Sequence, residues 1–233
     1  MAMKLPTFPQ LVGEFRDWMR MFGLWRLLAC LVALALLLVI ELTVVPLEHP
    51  PLDSALLSWL GLVIPDGMGR VLIRVYKVSG IQFTGVLVMA SLIYLAWKRW
   101  WNELRWLAVG TAGILLIVDR WLKPHFDRQR PDEKLVEVFG RSFPSGHAAG
   151  AVVFYFLMCS ILVARYPQLR RPLYLGSALW VALIWLSTLY CRVHWPSDIV
   201  GGACVGFIWL SICAISLRFC ATRQTGPSPE GSP

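Results

Sequence analysis

Along this chain apolar residues do not recur at a single helical or strand period; they run on in stretches of about twenty with few charges inside them. Such stretches occupy 25–46, 79–97, 104–122, 148–164, 173–191 and 198–218. A hydrocarbon layer about 30 Å thick takes about 20 residues of helix to cross. The pattern therefore predicts an all-α, polytopic membrane protein with six transmembrane helices. Ahead of the first stretch, Leu11, Phe15, Trp18, Met19 and Phe22 share one helical face opposite Glu14, Asp17 and Arg20. That periodicity predicts an amphipathic helix over 8–22, either lying on the membrane surface or extending the first span into the cytosol.

Between the first two stretches, Pro46, Pro50, Pro51 and Pro65 punctuate a segment whose Leu56, Leu57, Trp59, Leu60 and Val63 suit a short interfacial helix. Arg70, Arg74 and Lys77 follow at helical spacing, as a solvated basic face or a contact for lipid headgroups. The organisation expected is an N-terminal amphipathic or cytoplasmic segment over 1–24, one membrane domain over 25–218, and a tail over 219–233 whose Gly, Ser and Pro content reads as disordered.

Composition sharpens this picture. Apolar residues make up 57% and charged residues 15%, against about 25% charged in soluble domains, which argues against a soluble globule. The 12 tryptophans suit the boundary between headgroups and hydrocarbon. The net charge of +8 is spread through loops instead of forming a stripe, which argues for topology and against nucleic acid. With the N-terminus cytoplasmic, twelve of the 22 Lys and Arg residues, among them Lys98, Arg99, Arg170 and Arg171, fall inside. The six cysteines form no CxxC pair, and most sit in apolar runs as small hydrophobes.

On that topology three polar clusters meet at the outer ends of the last four spans. They are Lys123 to Pro131, Pro144-Ser145-Gly146-His147, and Ser187 to Asp198. Fixed cations beside histidines able to attack or to move protons suit a phosphoryl group. No carboxylate or thiolate cluster has the spacing of a metal cage.

These clusters resemble the superfamily of type-2 phosphatidic acid phosphatases, or lipid phosphate phosphatases. Its signature is Lys, six residues, Arg-Pro; then Pro-Ser-Gly-His; then Ser-Arg, five residues, His, three residues, Asp. The first two elements are complete here, and the third keeps Ser187, His194 and Asp198 in register. The Arg that follows the family's Ser is Thr188 in this chain. Arg192 lies four residues on, one turn along the same face if the helix continues, and is the expected substitute.

The Pro196 ring favours a helix start between His194 and Asp198, which lets the carboxylate reach back to the imidazole. It would hold one ring nitrogen protonated and leave the other free to attack phosphorus. The resemblance implies the same roles: His194 as nucleophile through a phosphohistidine, Asp198 as its orienter, and His147 as the proton donor. Ser145 reads as a helix N-cap, and Gly146 lets an anion approach the N–H groups behind it. Lys123 and Arg130 would neutralise phosphate oxygens, with no metal and no cofactor.

Arg128 and Arg141 are read as members of a charged surface loop, outside the group that touches phosphate. Asp119 and Arg120 are expected to sit at the interface and pair locally, and Glu41 to be interfacial. The resulting expectation is a lipid phosphate or diphosphate phosphatase of the inner membrane with an extracytoplasmic site. Candidate substrates implied by the family are polyprenyl diphosphate, phosphatidylglycerol phosphate, phosphatidic acid and lipid A phosphates. The alternatives are a lipid-to-lipid phosphotransferase using the same residues and a catalytically weak lipid-binding or regulatory member.

Overall fold

A computed structural model describes residues 8–224. Its elements, in chain order, are α1 Phe8–Phe22, α2 Leu24–Thr43, α3 Pro51–Val63, α4 Asp66–Val78, α5 Ile81–Trp97 and α6 Trp101–Leu115. A π-helical stretch, Leu116–Leu122, carries α6 into the short α7, Lys123–Phe126. After a loop come α8 Gly146–Arg165, α9 Arg170–Tyr190 and α10 Pro196–Gln224. No strand occurs among the described residues.

Among the described residues, four helical segments are long and apolar enough to cross a bilayer: Leu24–Thr43, Gly146–Arg165, Pro167–Tyr190 and Pro196–Arg223. A fifth crossing is counted if α4 and α5, bent by 51° between Asp66–Val78 and Gln82–Trp97, form one broken span. The chain is thus a multi-pass membrane protein whose described residues are helical and hold four to five spans by length and composition. The apolar stretch expected over 104–122 is helical, but it changes from α to π geometry at Leu116.

The centre of the bundle is the α8–α10 contact, and small residues set its closeness. Gly202 lies directly against the carbonyl oxygen of Ser145, and Gly206 against the backbone of Ala149. Between helices in lipid there is no hydrophobic drive, so close backbone approach supplies the van der Waals attraction that holds them. Around this contact Ala33 and Leu37 of α2, Ile114 and Val118 of the α6 run, Phe143 of the loop and Val205 of α10 form one buried cluster. Leu95, Leu107, Leu157 and Cys213 form a second beneath it. The apolar side chains left outside, such as Val32, Val39, Val86 and Ile93, face outward from the bundle, where a bilayer would take them.

The N-terminal helix packs on the last one. Trp18 of α1 donates its indole N–H to the Ser216 hydroxyl at 3.1 Å, and Glu14 accepts from Arg223 at 2.7 Å, so α1 is fastened to the far end of α10. Leu11 and Phe15 remain exposed. The last helix also runs beyond the expected end of the sixth span at 218, to Gln224; the rest of the expected tail lies outside the described residues.

Candidate functional site

The loop from Asp127 to Ser145 folds back over the starts of α8 and α10 and brings the three polar clusters together. Ser145 caps α8: its hydroxyl accepts from the Ala148 N–H at 3.3 Å. Its own N–H donates to the Asp198 carbonyl at 3.0 Å, which ties the start of α8 to the start of α10. The result places His147, in the first turn of α8, opposite His194, just ahead of α10. Their ring centroids are 6.3 Å apart and their planes 66° apart.

Arg130 sits between the loop and the second histidine. Its guanidinium donates to the carbonyls of Val193, at 2.5 Å, Gly140, at 3.0 Å, and Arg141, at 3.1 Å. The same Nη1 approaches His194 Nε2 at 3.3 Å. A guanidinium donates and never accepts, so Nε2 carries the lone pair and Nδ1 the proton. Nδ1 faces Asp198 Oδ2 at 3.4 Å. The orientation follows from the chemistry of the partners: the basic ring nitrogen is the one turned toward Arg130. Burial pushes the His194 imidazole below its ordinary value, against the pull of Asp198 and with help from the Arg130 charge.

Lys123 approaches from α7. A Cβ at Gly146 would stand 3.7 Å from Lys123 Nζ and 3.8 Å from Val118 Cγ1, so the ammonium lies beside the bare backbone at the start of α8. The N-terminal amide groups of a 20-residue helix, a glycine without side chain and an ammonium are together the chemical groups that can receive an anion. Lys123 also holds Asp119 at 2.6 Å. Asp119 thus pairs locally, as expected, with a residue four positions further on. Glu41 lies 3.5 Å from His125 Nε2. His147 Nε2 is buried without a hydrogen-bond partner among the described residues, and the Tyr76 ring of α4 stacks on the imidazole with centroids 5.3 Å apart.

Two expectations need correction. Arg192 is not brought to this group. Helix α9 ends at Tyr190, and Arg192 takes a left-handed backbone with φ of 52°, so it does not continue the face of Thr188. Its guanidinium pairs with Glu133 and stands over Gly61. Thr188 is itself buried, with its hydroxyl turned back to the Trp185 carbonyl at 2.8 Å. Arg141 pairs with Asp127, as a surface-loop residue would. Arg128 does not. It is buried and donates to Asp198 Oδ1 and to Ser197 Oγ, each at 2.7 Å, and to Asp53 Oδ2 of α3 at 3.0 Å.

Asp198 is thus held from several sides: by Arg128, by the Trp195 N–H at 2.8 Å, and by the Ser142 hydroxyl. Asp53 in turn accepts from the Ser197 N–H at 3.1 Å. Sequence reasoning missed Arg128, Asp53, Ser142 and Tyr76. The one legible signal was a carboxylate, Asp53, inside an otherwise apolar interfacial helix. Among the described residues no three His, Cys, Asp or Glu side chains gather as metal ligands.

Comparison with known proteins agrees with the clusters. Over residues 103–220, just over half the chain, the sequence matches the model of the PAP2 superfamily. It is 29% identical over 127 residues to phosphatidylglycerophosphatase B of Bacillus subtilis strain 168, a stretch covering 53% of this chain and 61% of that protein. This chain therefore matches about three fifths of that relative's length. The fold is similar to the crystal structure described as the first transmembrane PAP2 type phosphatidylglycerolphosphate phosphatase, from Bacillus subtilis. The TM-score is 0.68 at 22% identity, covering 88% of this chain and 98% of the other. The matched span carries Lys123, Arg130, Ser145, His147, His194 and Asp198 in the order the three motifs require, and on these grounds the chain belongs to the PAP2 superfamily.

Proposed function

We propose that this protein is a membrane lipid phosphatase that removes phosphate from a lipid phosphate or diphosphate at the extracytoplasmic face. The observation that carries the reading is the facing pair His147 and His194, with Arg130 directed at the unprotonated Nε2 of the second ring. A phosphate held there by Lys123, Arg130 and the N-terminal amides of α8 has its phosphorus within reach of Nε2. Attack forms an N–P bond and breaks the P–O bond to the lipid. His147 gives its proton to the departing oxygen, and Asp198 steadies the positive charge on the His194 ring. His147, now neutral, takes a proton from water as that water attacks the phosphohistidine. Inorganic phosphate leaves, and both imidazoles return to their starting states.

Neutralisation of the phosphate oxygens by Lys123 and Arg130 supports a metal-independent reaction. Six crossings are part of the same reading: α5 and the α6 run, with its π stretch, each cross alongside the four long helices. The site then opens among headgroups while the lipid tail stays in the bilayer. The substrate to try first is phosphatidylglycerol phosphate, because the relative from Bacillus subtilis is named for that activity.

The test is phosphate release by the purified protein in detergent, with a chelator present, from phosphatidylglycerol phosphate, phosphatidic acid and polyprenyl diphosphate, beside His194→Ala. The expected result is release that depends on His194 and persists with chelator. Equal release by both proteins overturns the catalytic reading. Consumption of lipid phosphate only when a second lipid acceptor is added identifies a phosphotransferase instead.

A further inference from the structure

The family match begins at residue 103, yet a carboxylate far upstream of it is built into the support of the nucleophile. Asp53 lies in the first turn of α3, where it accepts from the Ser197 N–H and hydroxyl and from Arg128. Arg128 spans the distance to Asp198, and Asp198 faces His194. The side chains of Asp53, Arg128 and Asp198 are 8%, 3% and 0% exposed. Charges this deeply buried are kept only where each has partners, and removal of one leaves its neighbours uncompensated. The chain of contacts also alternates in sign: carboxylate, guanidinium, carboxylate, imidazole.

We propose that Asp53 and Arg128 are positioning residues that set the orientation and the net charge presented to His194, so that α3 is a working part of the phosphatase site. Arg128 draws negative charge on Asp198 away from the imidazole, and Asp53 limits that draw by sharing the same guanidinium. This inference rests on the phosphatase reading above and adds to it a second tier of residues, one of them outside the three motifs.

The groups that face His194 are distributed over several elements. They are Lys123 of α7, paired with Asp119 of the preceding π stretch; Arg130 of the loop; His147 of α8, backed by Tyr76 of α4; and Asp198 of α10, itself held by Arg128 of the loop. Asp53→Asn leaves the charges of all these groups unchanged and removes only its own, which gives the electrostatic effect its sign. Asp53→Asn removes a negative charge, so the His194 imidazole loses its proton more readily and the acid limb of kcat/KM moves to lower pH. Arg128→Gln removes a positive charge from the Asp198 carboxylate and moves the limb to higher pH. Asp198 stands between Arg128 and the imidazole, and both Arg128 and Asp198 stand between Asp53 and the imidazole, so the displacement is on the order of half a pH unit for Arg128→Gln and smaller for Asp53→Asn. Arg128→Lys, which keeps the charge, stays nearer the wild-type limb than Arg128→Gln.

The experiment uses the full chain in detergent, with short-chain phosphatidic acid as substrate, and compares wild type, Asp53→Asn, Arg128→Gln, Arg128→Lys and His194→Ala. Expected are a roughly tenfold or greater fall in kcat with KM changed much less for Asp53→Asn and Arg128→Gln, and limbs displaced in opposite directions. Where a variant is too slow to profile, NMR titration of the imidazoles reports the same displacement without turnover; the chain has only four histidines, and His194→Ala identifies the signal. Limbs that stay put, or move together, overturn the proposal while leaving the phosphatase reading intact. Equal phosphate release by wild type and His194→Ala overturns that reading instead.

Discussion

Arg130 and His194 meet through Nη1 and Nε2 at 3.3 Å, although 64 residues separate them along the chain. Because the guanidinium has only protons to offer, the contact fixes which imidazole nitrogen is basic and leaves it aimed where Arg130 would hold a phosphate oxygen. Replacement of Arg130 by Ala removes both the charge for phosphate and the contact that selects the ring nitrogen. The expected outcome is a fall of at least about 10²-fold in kcat/KM, measured as phosphate release from phosphatidic acid. Arg130→Lys restores little of it, since an ammonium does not reproduce the three carbonyl contacts of the planar group.

His147 is assigned the proton that the leaving oxygen takes, and its value depends on how much that oxygen needs one. With a lipid phosphate, whose leaving group is an alkoxide, His147→Ala is expected to lose roughly 10²- to 10⁴-fold in turnover. With an aryl phosphate such as p-nitrophenyl phosphate the loss shrinks, because the phenolate departs unaided. A loss of equal size on both substrates contradicts the assignment.

The burial of His194 has a consequence for pH. Its folded-state value lies below the ordinary 6.5, so the neutral form, to which the proposed mechanism assigns the attack, persists to more acid solution than for a free imidazole. The acid limb of kcat/KM is therefore expected below pH 6.5. The sign for stability follows from the same shift. The unfolded chain takes this proton first, so the contribution of His194 to stability is full above about pH 6.5 and is lost as pH falls toward the folded value. Thermal unfolding in detergent between pH 7.5 and 5 tests this, with His194→Ala as the comparison.

Arg192 was the candidate replacement for the guanidinium missing at Thr188, and its side chain is engaged by Glu133 instead. Arg192→Ala is expected to keep kcat/KM within about threefold of the parent, as for other exposed ion pairs. A loss beyond tenfold would show that the side chain swings into the site during turnover.

The approach of α10 to α8 leaves no room at Gly202, whose missing Cβ would run into the Ser145 carbonyl. Gly202→Ala forces the helix starts apart and is expected to cost about 1–3 kcal/mol, visible as a lowered Tm. Phosphate release falls with it, because Ser145 and Asp198 are joined at this contact. Gly150→Ala, where a Cβ meets nothing within 4 Å, leaves both unchanged.

Sequence alone determined the class of the protein, the identity of the chemical groups and their order. Uninterrupted apolar stretches admit only helices in lipid, since every backbone N–H and C=O must be satisfied within the segment, and the motifs carry their spacing with them. Local rules also placed the cap at Ser145 and the helix start at Pro196, because both depend on neighbouring residues alone. Tertiary structure decided what depends on distant partners. A left-handed turn after α9 sent Arg192 to Glu133, whereas burial beneath α3 turned Arg128 from an apparent surface charge into the link between Asp53 and Asp198. A charge in a loop has the same appearance in sequence whether its counterion is water or a carboxylate 75 positions away, and only the folded chain brings that carboxylate to it.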